Sequence, residues 1–432
     1  MSTPLTIAEW KLYLRDSPQQ AAGLIHRRLE GVSAATRRAA IATIEPREKL
    51  GNAFSQPPRE GQVLSGIPYM LKDLFNLRGA VTGAGATFLE DAEGPAAEDC
   101  LLKQRLDGLG AVPVGRTQLN EFAYGLDGMN AHFGNCPHPH DEDRISGGSS
   151  SGSAWAIGRG VVPLAFGTDT GGSVRVPAAL CGVYGVRLAP GPLSREGVFP
   201  LSRSFDSAGW FTRTARDAAE VWRALDDSAA PGNRERFDPA RVLVVSAEEL
   251  IDDPELGERY RRRRSTLGMP EETEAGRELA EWLRERRDAE ILAYNVIVST
   301  EAYAYHRHYL ARWGDRYEER VRLLIERGAG WSPEERRRAE EVRYETESRI
   351  LAALESYHAI VLPATHTVAP PFAEAGQEFR RRILALTVPG SLARTPAVTL
   401  PVLREDGLSG GLQFLFHPKR SALAVDLLER LG

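Results

Sequence analysis

The chain opens with three stretches whose apolar residues recur at three- and four-residue spacing, AEWKLYL, AGLIHRRLE and AATRRAAIATI, which predicts helices through the first fifty residues. Residues 62–76, QVLSGIPYMLKDLFN, behave differently. A short apolar run is closed by the charged pair Lys72-Asp73, the pattern of a strand that ends in a functional turn. A helical pattern over 98–109 then leads into AVPVGRT at 111–117, which reads as a buried strand. Alternation of this kind predicts an α/β sheet.

Between 146 and 210 small residues dominate. The run SGGSSSGSAWAIGRGVVPLAFGTDTGGSVRVPAALCGVYGV has the composition of a flexible segment, yet Val161–Phe166 and Val174–Val176 are apolar and sharply bounded. It reads as helix, strand, tight turn and buried segment, with glycines where backbones approach closely. From about 245 to 357 the pattern turns charged and helical, through YRRRR, RELAEWLRERRDAE, RYEERVRLLIER and EERRRAEEVRYETESRILAALE. Glutamates interleaved with arginines at i±3 and i±4 predict solvated helix faces with ion pairs in place of a nucleic-acid patch. HAIVLPA, PAVTLPV and GLQFLFH predict short strands returning to the sheet. There is no internal repeat and no linker long enough to separate two bodies, so residues 1–432 are expected to form a single domain. Residues 245–357 would be a helical insertion over the substrate pocket.

Composition adds little at first. Hydrophobic residues at 42%, charged residues at 26% and a net charge of −5 over 432 residues describe an ordinary globular chain with no call for a nucleic-acid or membrane partner. Cys100, Cys136 and Cys181 share no short spacing, which argues against a disulfide framework or a metal set. MSTPLTIAEWKLYLRDSP carries charges too early for a signal peptide, and no apolar run approaches the ~18 residues of a membrane span. A cytoplasmic protein is expected. One count does change the picture: of 54 basic residues only Lys11, Lys49, Lys72, Lys103 and Lys419 are lysines. A chain that writes arginine wherever it needs charge has kept a lysine beside Met70 and Leu71.

That lysine matters because arginine stays protonated, whereas a desolvated lysine amine can lose its proton near neutral pH and act as a base. Two serine-bearing glycine turns accompany it, Gly-Gly-Ser-Ser-Ser-Gly-Ser at 147–153 and Gly-Thr-Asp-Thr-Gly-Gly-Ser-Val-Arg at 167–175. A serine hydroxyl is a poor nucleophile until a neighbouring base takes its proton. The tight turn would also point the N–H groups of Thr170, Gly171, Gly172 and Ser173 into one cavity, an oxyanion hole for a tetrahedral intermediate.

Rival readings fit less well. No Gly-Lys-Ser/Thr follows, so the turn is no phosphate loop. Gly148-Ser149-Ser150-Ser151-Gly152 matches the G-x-S-x-G elbow with Ser150 as nucleophile, but polar, proline-broken CPHPHDEDRIS precedes it where a buried strand is required, and His366 would be an arbitrary partner. His132, His138 and His140 lie near Cys136 without the acids or cysteines that complete a metal site. TGAGAT at 82–87 lacks the glycine spacing of a dinucleotide fingerprint. Tyr124, Met129 and Phe199 are candidates for an acyl pocket, with core packing as the alternative for each. Trp155, Trp282 and Trp313 read as packing.

The run from 147 to 185 resembles, nearly position for position, the glycine- and serine-rich signature of the amidase signature family. GIPYMLKD around Lys72, TQLNEFAYGLDGMNAHFGN at 117–135 and the 24-residue spacing of Ser149 and Ser173 extend the resemblance. It implies a three-layer α/β/α fold whose central mixed sheet is surrounded by helices. It further implies a Ser–cis-Ser–Lys triad, with Ser173 as nucleophile, Ser149 as the bridging serine after a cis peptide bond, and Lys72 as terminal base. The residues alone leave Ser149, Ser150 and Ser151 open for the bridging role. Ser150 would support the site by hydrogen bonding, and Asp169 and Arg175 would orient the serines. No cofactor and no metal are implied. The expected activity is hydrolysis of a small-molecule carboxamide through an acyl-enzyme on Ser173, in a chain that resembles homodimeric proteins. A glutaminase subunit passing ammonia to a partner, or a non-catalytic binding protein on the same scaffold, are the alternatives.

Overall fold

Three short apolar segments that the sequence separates widely, Pro68–Lys72, Val112–Thr117 and Leu164–Asp169, lie side by side in the computed structural model, which describes residues 3–226, 235–246 and 248–432. Among those residues the strands are β1 Ile41–Ile44, β2 Pro68–Lys72, β3 Val112–Thr117, β4 Pro137–His138, β5 Asp141–Ile145, β6 Leu164–Asp169, β7 Tyr184–Arg187, β8 Ser207–Thr212, β9 Val242–Val244, β10 Ala359–Pro363, β11 Ala397–Leu403 and β12 Ser409–Leu415. Ten of them build one mixed sheet in the order β1-β3-β2-β6-β8-β7-β11-β12-β10-β9, while β4 and β5 form a separate ribbon. β2, β6, β8, β10 and β12 are buried along their whole length, as expected of central strands that carry continuous apolar runs and are covered on both faces.

Helices flank the sheet. The N-terminal group is α1 Ile7–Asp16, α2 Pro18–Glu30, α3 Ala34–Ala40 and α4 Arg47–Phe54. α5 Leu89–Ala92, α6 Leu101–Gly108, α7 Ser151–Gly158, α8 Arg175–Leu180 and α9 Ala215–Leu225 alternate with strands. The charged region supplies α10 Pro254–Thr266, α11 Glu274–Trp313, α12 Glu319–Glu326 and α13 Pro333–Ser356, and the chain closes with α14 Gln377–Leu392 and α15 Ser421–Leu431. This is the three-layer α/β/α arrangement with a central mixed sheet.

The long helices start where local chemistry tells them to. The Thr273 hydroxyl accepts the Gly276 N–H at the head of α11, and Ser332 and Glu335 form a reciprocal capping box ahead of Pro333 in α13. The charged helices carry the expected pairs: the exposed Arg337 of α13 with Glu334 and Glu341, the half-exposed Arg322 of α12 with Glu326, and the buried Arg343 of α13 with Glu340 and Glu347. Exposed pairs of this kind add little stability each and keep the faces solvated. Residue 247, inside the expected insertion, lies outside the described residues, as do 1–2 and 227–234.

One expectation fails. AATRRAAIATI is not helical throughout: α3 ends at Ala40, and Ile41–Ile44 forms the edge strand β1, antiparallel to β3. Ile-Ala-Thr-Ile is rich in β-branched residues, and pairing with β3 outweighs a helical spacing that four residues satisfy equally well.

Candidate active site

Strand directions decide where the site lies. β2 and β6 run parallel, so their carboxyl ends deliver Lys72 and Asp169 to one edge of the sheet. β8 runs antiparallel to β6 with Ser207 opposite Asp169, which brings the preceding Asp206 to that edge. Arg187, the last residue of β7, pairs with Gly209 of β8 and arrives there too. Crevices outside the carboxyl ends of strands are where open α/β sheets bind ligands.

Lys72 is fully buried, and its Nζ lies 2.7 Å from Ser149 Oγ, 3.1 Å from Ser150 Oγ and 2.9 Å from Thr168 Oγ1. Burial lowers its pKa to about 7, against the pull of Asp206 and Asp169 in the other direction. The other four lysines sit in different surroundings: Lys11, Lys49 and Lys103 pair with Glu220, Glu45 and Asp107, and Lys419 is exposed.

Proton bookkeeping sorts the three hydroxyls around the amine. Ser150 Oγ donates to the Thr168 carbonyl at 3.1 Å, so it accepts from Lys72. A neutral amine has two protons and one lone pair, so the lone pair is left to face Ser149 or Thr168. Ser151 takes no part: its buried hydroxyl has no hydrogen-bond partner, and it begins α7. The ambiguity among Ser149, Ser150 and Ser151 therefore narrows to the first two at the amine. The Gly148–Ser149 peptide is cis. Gly148 permits this packing, because a side chain there would meet Asn120 Oδ1 at 2.1 Å and the Gly128 nitrogen at 2.7 Å.

Ser173 stands on the facing turn between β6 and α8. The Ser150 N–H donates to the Ser173 carbonyl at 3.3 Å, which ties the two serine loops together. The Ser173 side chain is nearly buried, and its hydroxyl makes no hydrogen bond among the described residues. The turn itself is held from three sides. Asp169 accepts the N–H groups of Gly172, Val174 and Arg175 at 2.9, 3.1 and 3.2 Å. Thr387 on α14 donates to the Gly171 carbonyl at 2.6 Å, and Thr170 donates to Asp206 Oδ1 at 2.6 Å. Gly172 has φ +125°, a conformation open to glycine, with Thr387 and Val176 at 3.1 Å from where a Cβ would stand.

One of the four expected oxyanion donors already has a partner in this geometry. The Gly172 N–H is committed to Asp169, so the donors left on the turn are those of Thr170, Gly171 and Ser173. Nothing along the chain signals this, because a glycine turn announces its donors without showing which of them a nearby carboxylate will take.

Asp169 lies between two guanidiniums. Arg175 reaches it through Nε at 3.0 Å and Nη2 at 2.9 Å, and Arg187 through Nη1 at 2.8 Å, all fully buried. Burial alone would raise this carboxyl; Arg175 and Arg187 outweigh it and hold it well below the usual carboxylate range. Arg175 continues to the Thr387 carbonyl, Gln413 Oε1 and Ser391 Oγ at 2.8, 2.9 and 2.8 Å, locking the turn to α14 and β12. Asp206 is pushed up to about 6 by burial, opposed by the Thr170 hydroxyl and the N–H groups of Leu201 and Ser202.

Thr168, Arg187, Asp206 and Thr387 join the site in the structure without having been candidates from the sequence. Thr168 had a usable signal, since it adjoins Asp169 on a strand that parallels the one ending in Lys72. The others reach the turn from 14 to 214 residues away along the chain, with no local motif to mark them. Of the acyl-pocket candidates, Tyr124 is buried, Phe199 stacks on Phe122 at 5.4 Å between ring centres, and the Met129 carbonyl accepts from Asn120 at 2.7 Å. His366 faces Asp252 and Phe379, and the elbow lacks its strand, because the polar β5 of the small ribbon precedes it. His132 pairs with Glu121 at 2.9 Å, and among the described residues no group of three or more His, Cys, Asp or Glu could hold a metal ion. Cys100, Cys136 and Cys181 are free and buried.

Known proteins agree with this architecture. The Amidase family model matches residues 26–420. A 1-carboxybiuret hydrolase subunit from Pseudomonas sp. (strain ADP) is 31% identical over 409 residues, covering 89% of this chain and 88% of its own. A glutamyl-tRNA(Gln) amidotransferase subunit from Acidothermus cellulolyticus is 32% identical over 416 residues, covering 85% and 80%. A solved amidase structure superposes with a TM-score of 0.83 at 28% identity, over 99% of this chain and all of the other. With a family match across nearly its whole length, on a mixed sheet that brings Lys72 and the two serine turns to one edge, the chain belongs to the amidase signature family of C–N hydrolases.

Proposed function

We propose that this protein hydrolyses a carboxamide through an acyl-enzyme on Ser173, with Lys72 as base and Ser149 as the relay between them. The observation that carries this reading is a buried amine with a pKa near 7 placed 2.7 Å from the Ser149 hydroxyl, on the loop facing Ser173. Neutral Lys72 accepts the Ser149 proton as Ser149 accepts that of Ser173, and Ser173 Oγ bonds to the amide carbon. The N–H groups of Thr170, Gly171 and Ser173 stabilise the oxyanion. The Lys72 ammonium then returns the proton through Ser149 to the leaving nitrogen, because an amide anion leaves badly, and the C–N bond breaks. Water attacks the acyl-enzyme by the same relay in reverse. The Ser149–Ser173 hydrogen bond is the one contact this scheme requires to form with substrate, since catalytic hydrogen bonds often tighten only in the complex.

Ser150, Asp169 and Arg175 serve as positioning residues in this reading, and α11 is the roof of the pocket, since Tyr294 and Glu301 reach the turn and its neighbours from that helix. A small amide as substrate, a homodimeric state and a cytoplasmic setting belong to the same proposal; among the described residues no helix is long and apolar enough to cross a membrane. A second reading, a glutaminase subunit that passes ammonia on, has support in relatives that are named as subunits.

The test is intact-protein mass after treatment with a fluorophosphonate, for wild type and Ser173→Ala. One adduct in the wild type and none in the variant is expected, followed by ammonia release from an amide panel. Labelling that persists in Ser173→Ala would unseat the nucleophile. Ammonia release only in the presence of a co-purifying protein would favour the subunit reading.

A further inference from the structure

Two routes lead from α11 to the turn that carries Ser173. Tyr294 takes the direct one, with its Oη 2.3 Å from where a methyl on Gly171 would stand. Glu301 lies seven residues further along α11, on the same face and roughly 10 Å down the axis. Its hydrogen bonds go to the loop between Leu201 and Asp206, which leads into β8 and which the mechanism leaves without a task. Glu301 Oε2 accepts the Ser202 hydroxyl at 2.6 Å and the Ser204 N–H at 3.2 Å, and Oε1 accepts the Ser204 hydroxyl at 2.5 Å. Among the described residues no Lys, Arg or His pairs with this carboxylate, so its acceptors serve the loop. Hydrogen bonds to an ionised carboxylate are the stronger kind. Phe205 adds a stacked contact with Tyr294, 5.8 Å between ring centres.

The loop is braced from within. The Ser202 carbonyl accepts the N–H groups of Phe205 and Asp206 at 3.0 and 2.8 Å. Asp206 Oδ2 reaches back to accept those of Leu201 and Ser202 at 2.9 and 3.0 Å. The other oxygen of the same carboxylate, Oδ1, accepts the Thr170 hydroxyl at 2.6 Å. One end of a closed loop is therefore held by α11, and the other by a residue of the nucleophile turn whose N–H is free for the oxyanion. Ser202, Asp206 and Thr170 are all buried, so water offers no substitute for these contacts and the loop cannot shear without leaving polar groups unpaired. A shift of its α11 end is carried to Thr170.

We propose that Glu301 is a positioning residue for the oxyanion donors: it seats the Leu201–Asp206 loop on α11, and Asp206 passes that seating to Thr170. Glu301 touches neither the nucleophile nor the base. It acts on the rate at which Ser173 reacts, through the orientation of the Thr170 N–H, and not on how tightly a substrate is held. The roof helix and the reacting turn are thereby one mechanical unit. This inference rests on Ser173 being the nucleophile and on Thr170 being an oxyanion donor.

The experiment follows fluorophosphonate labelling of Ser173 over a range of reagent concentrations, which separates the maximal rate from the half-saturating concentration. The reagent's phosphoryl oxygen takes the place of the oxyanion, so the maximal rate reads the donors. Glu301→Ala is expected to lower the maximal rate about 10-fold, the effect of a small misplacement, with the half-saturating concentration within about 2-fold of wild type. Glu301→Gln should recover the wild-type rate, because its amide oxygen accepts from Ser202 and the Ser204 N–H while its NH2 donates to the Ser204 hydroxyl. Thr170→Val keeps the N–H and removes the hydroxyl that Asp206 holds, and adding Glu301→Ala to it should cost nothing further. Losses that multiply in the double variant, a change confined to the half-saturating concentration, or an unchanged Glu301→Ala each overturn the inference and leave the nucleophile standing. Should Glu301→Ala fail to fold, Ser204→Ala, which removes one hydroxyl from the loop, takes its place with the same outcomes. Failure of wild type to label at all overturns the reading of Ser173 and this inference with it.

Discussion

Lys72 Nζ and Ser149 Oγ lie 2.7 Å apart in a place that water does not reach. Burial costs the ammonium form its solvation, and the amine responds with a pKa near 7 where a solvated lysine would stay charged. The working base is the neutral form. The expected kcat/KM therefore rises about tenfold per pH unit below 7 and levels off above it, in a pH–rate profile with a single limb on the acid side. Lys72→Arg should be inactive at every pH, since a guanidinium keeps its proton. The same shift makes stability rise with pH between about 7 and the ordinary lysine value, because the unfolded chain holds a proton there that the folded one has released. Thermal unfolding of wild type against Lys72→Met across that window checks the sign.

Thr168 shares the amine with Ser149, 2.9 Å from Nζ. If Ser149 donates to the lone pair, Thr168 must accept, and it then favours the charged form. Thr168→Val should move the acid limb below 7. A shift upward would place the lone pair on Thr168 and remove Ser149 from the relay.

Asp169 is the single carboxylate between Arg175 and Arg187, all three fully buried. Asp169→Asn leaves two guanidiniums without their countercharge and should cost about 3–5 kcal/mol of stability, the range for breaking a buried pair from one side. Urea unfolding gives the number. The reverse outcome, near-normal stability with lost activity, would make Asp169 a purely catalytic group.

Gly171 has no room for a methyl, with Tyr294 Oη at 2.3 Å and Cζ at 2.6 Å from its place. Gly171→Ala should displace the turn and lower kcat about 100-fold, since ångström-scale misplacement of a nucleophile has effects of that order. Tyr294→Ala in the same chain should restore part of the rate by making space; Tyr294→Phe should not, because the ring carbon remains. Unchanged single-turnover rates in Gly171→Ala would show that the turn tolerates the shift.

Much of the site could be read from residue order alone. A lysine in an apolar context of an arginine-rich chain and two serine-glycine turns named Lys72, Ser173 and the serines at 149–151 as candidates, because the need for a deprotonable base and a tight backbone turn restricts residue type locally; only the family resemblance singled out Ser149. The same local rules located β2, β3, β6 and the three returning strands. They failed at Ile41–Ile44, where a four-residue apolar spacing fits helix and strand alike and only the neighbour β3 decides.

What the fold alone decided depends on groups far apart in the chain. Parallel β2 and β6 set the amine beside Thr168, antiparallel β8 brings Asp206 to the same edge, and β7 supplies Arg187. The commitment of the Gly172 N–H to Asp169, the choice of Ser149 and Ser150 over Ser151 at the amine, and the arrival of Tyr294 above the turn follow from that packing. Residue types fix which chemistry is available, through pKa and backbone freedom. Which hydrogen bonds are made, and which donors stay free for a substrate, is settled by distances between segments that no sequence spacing records.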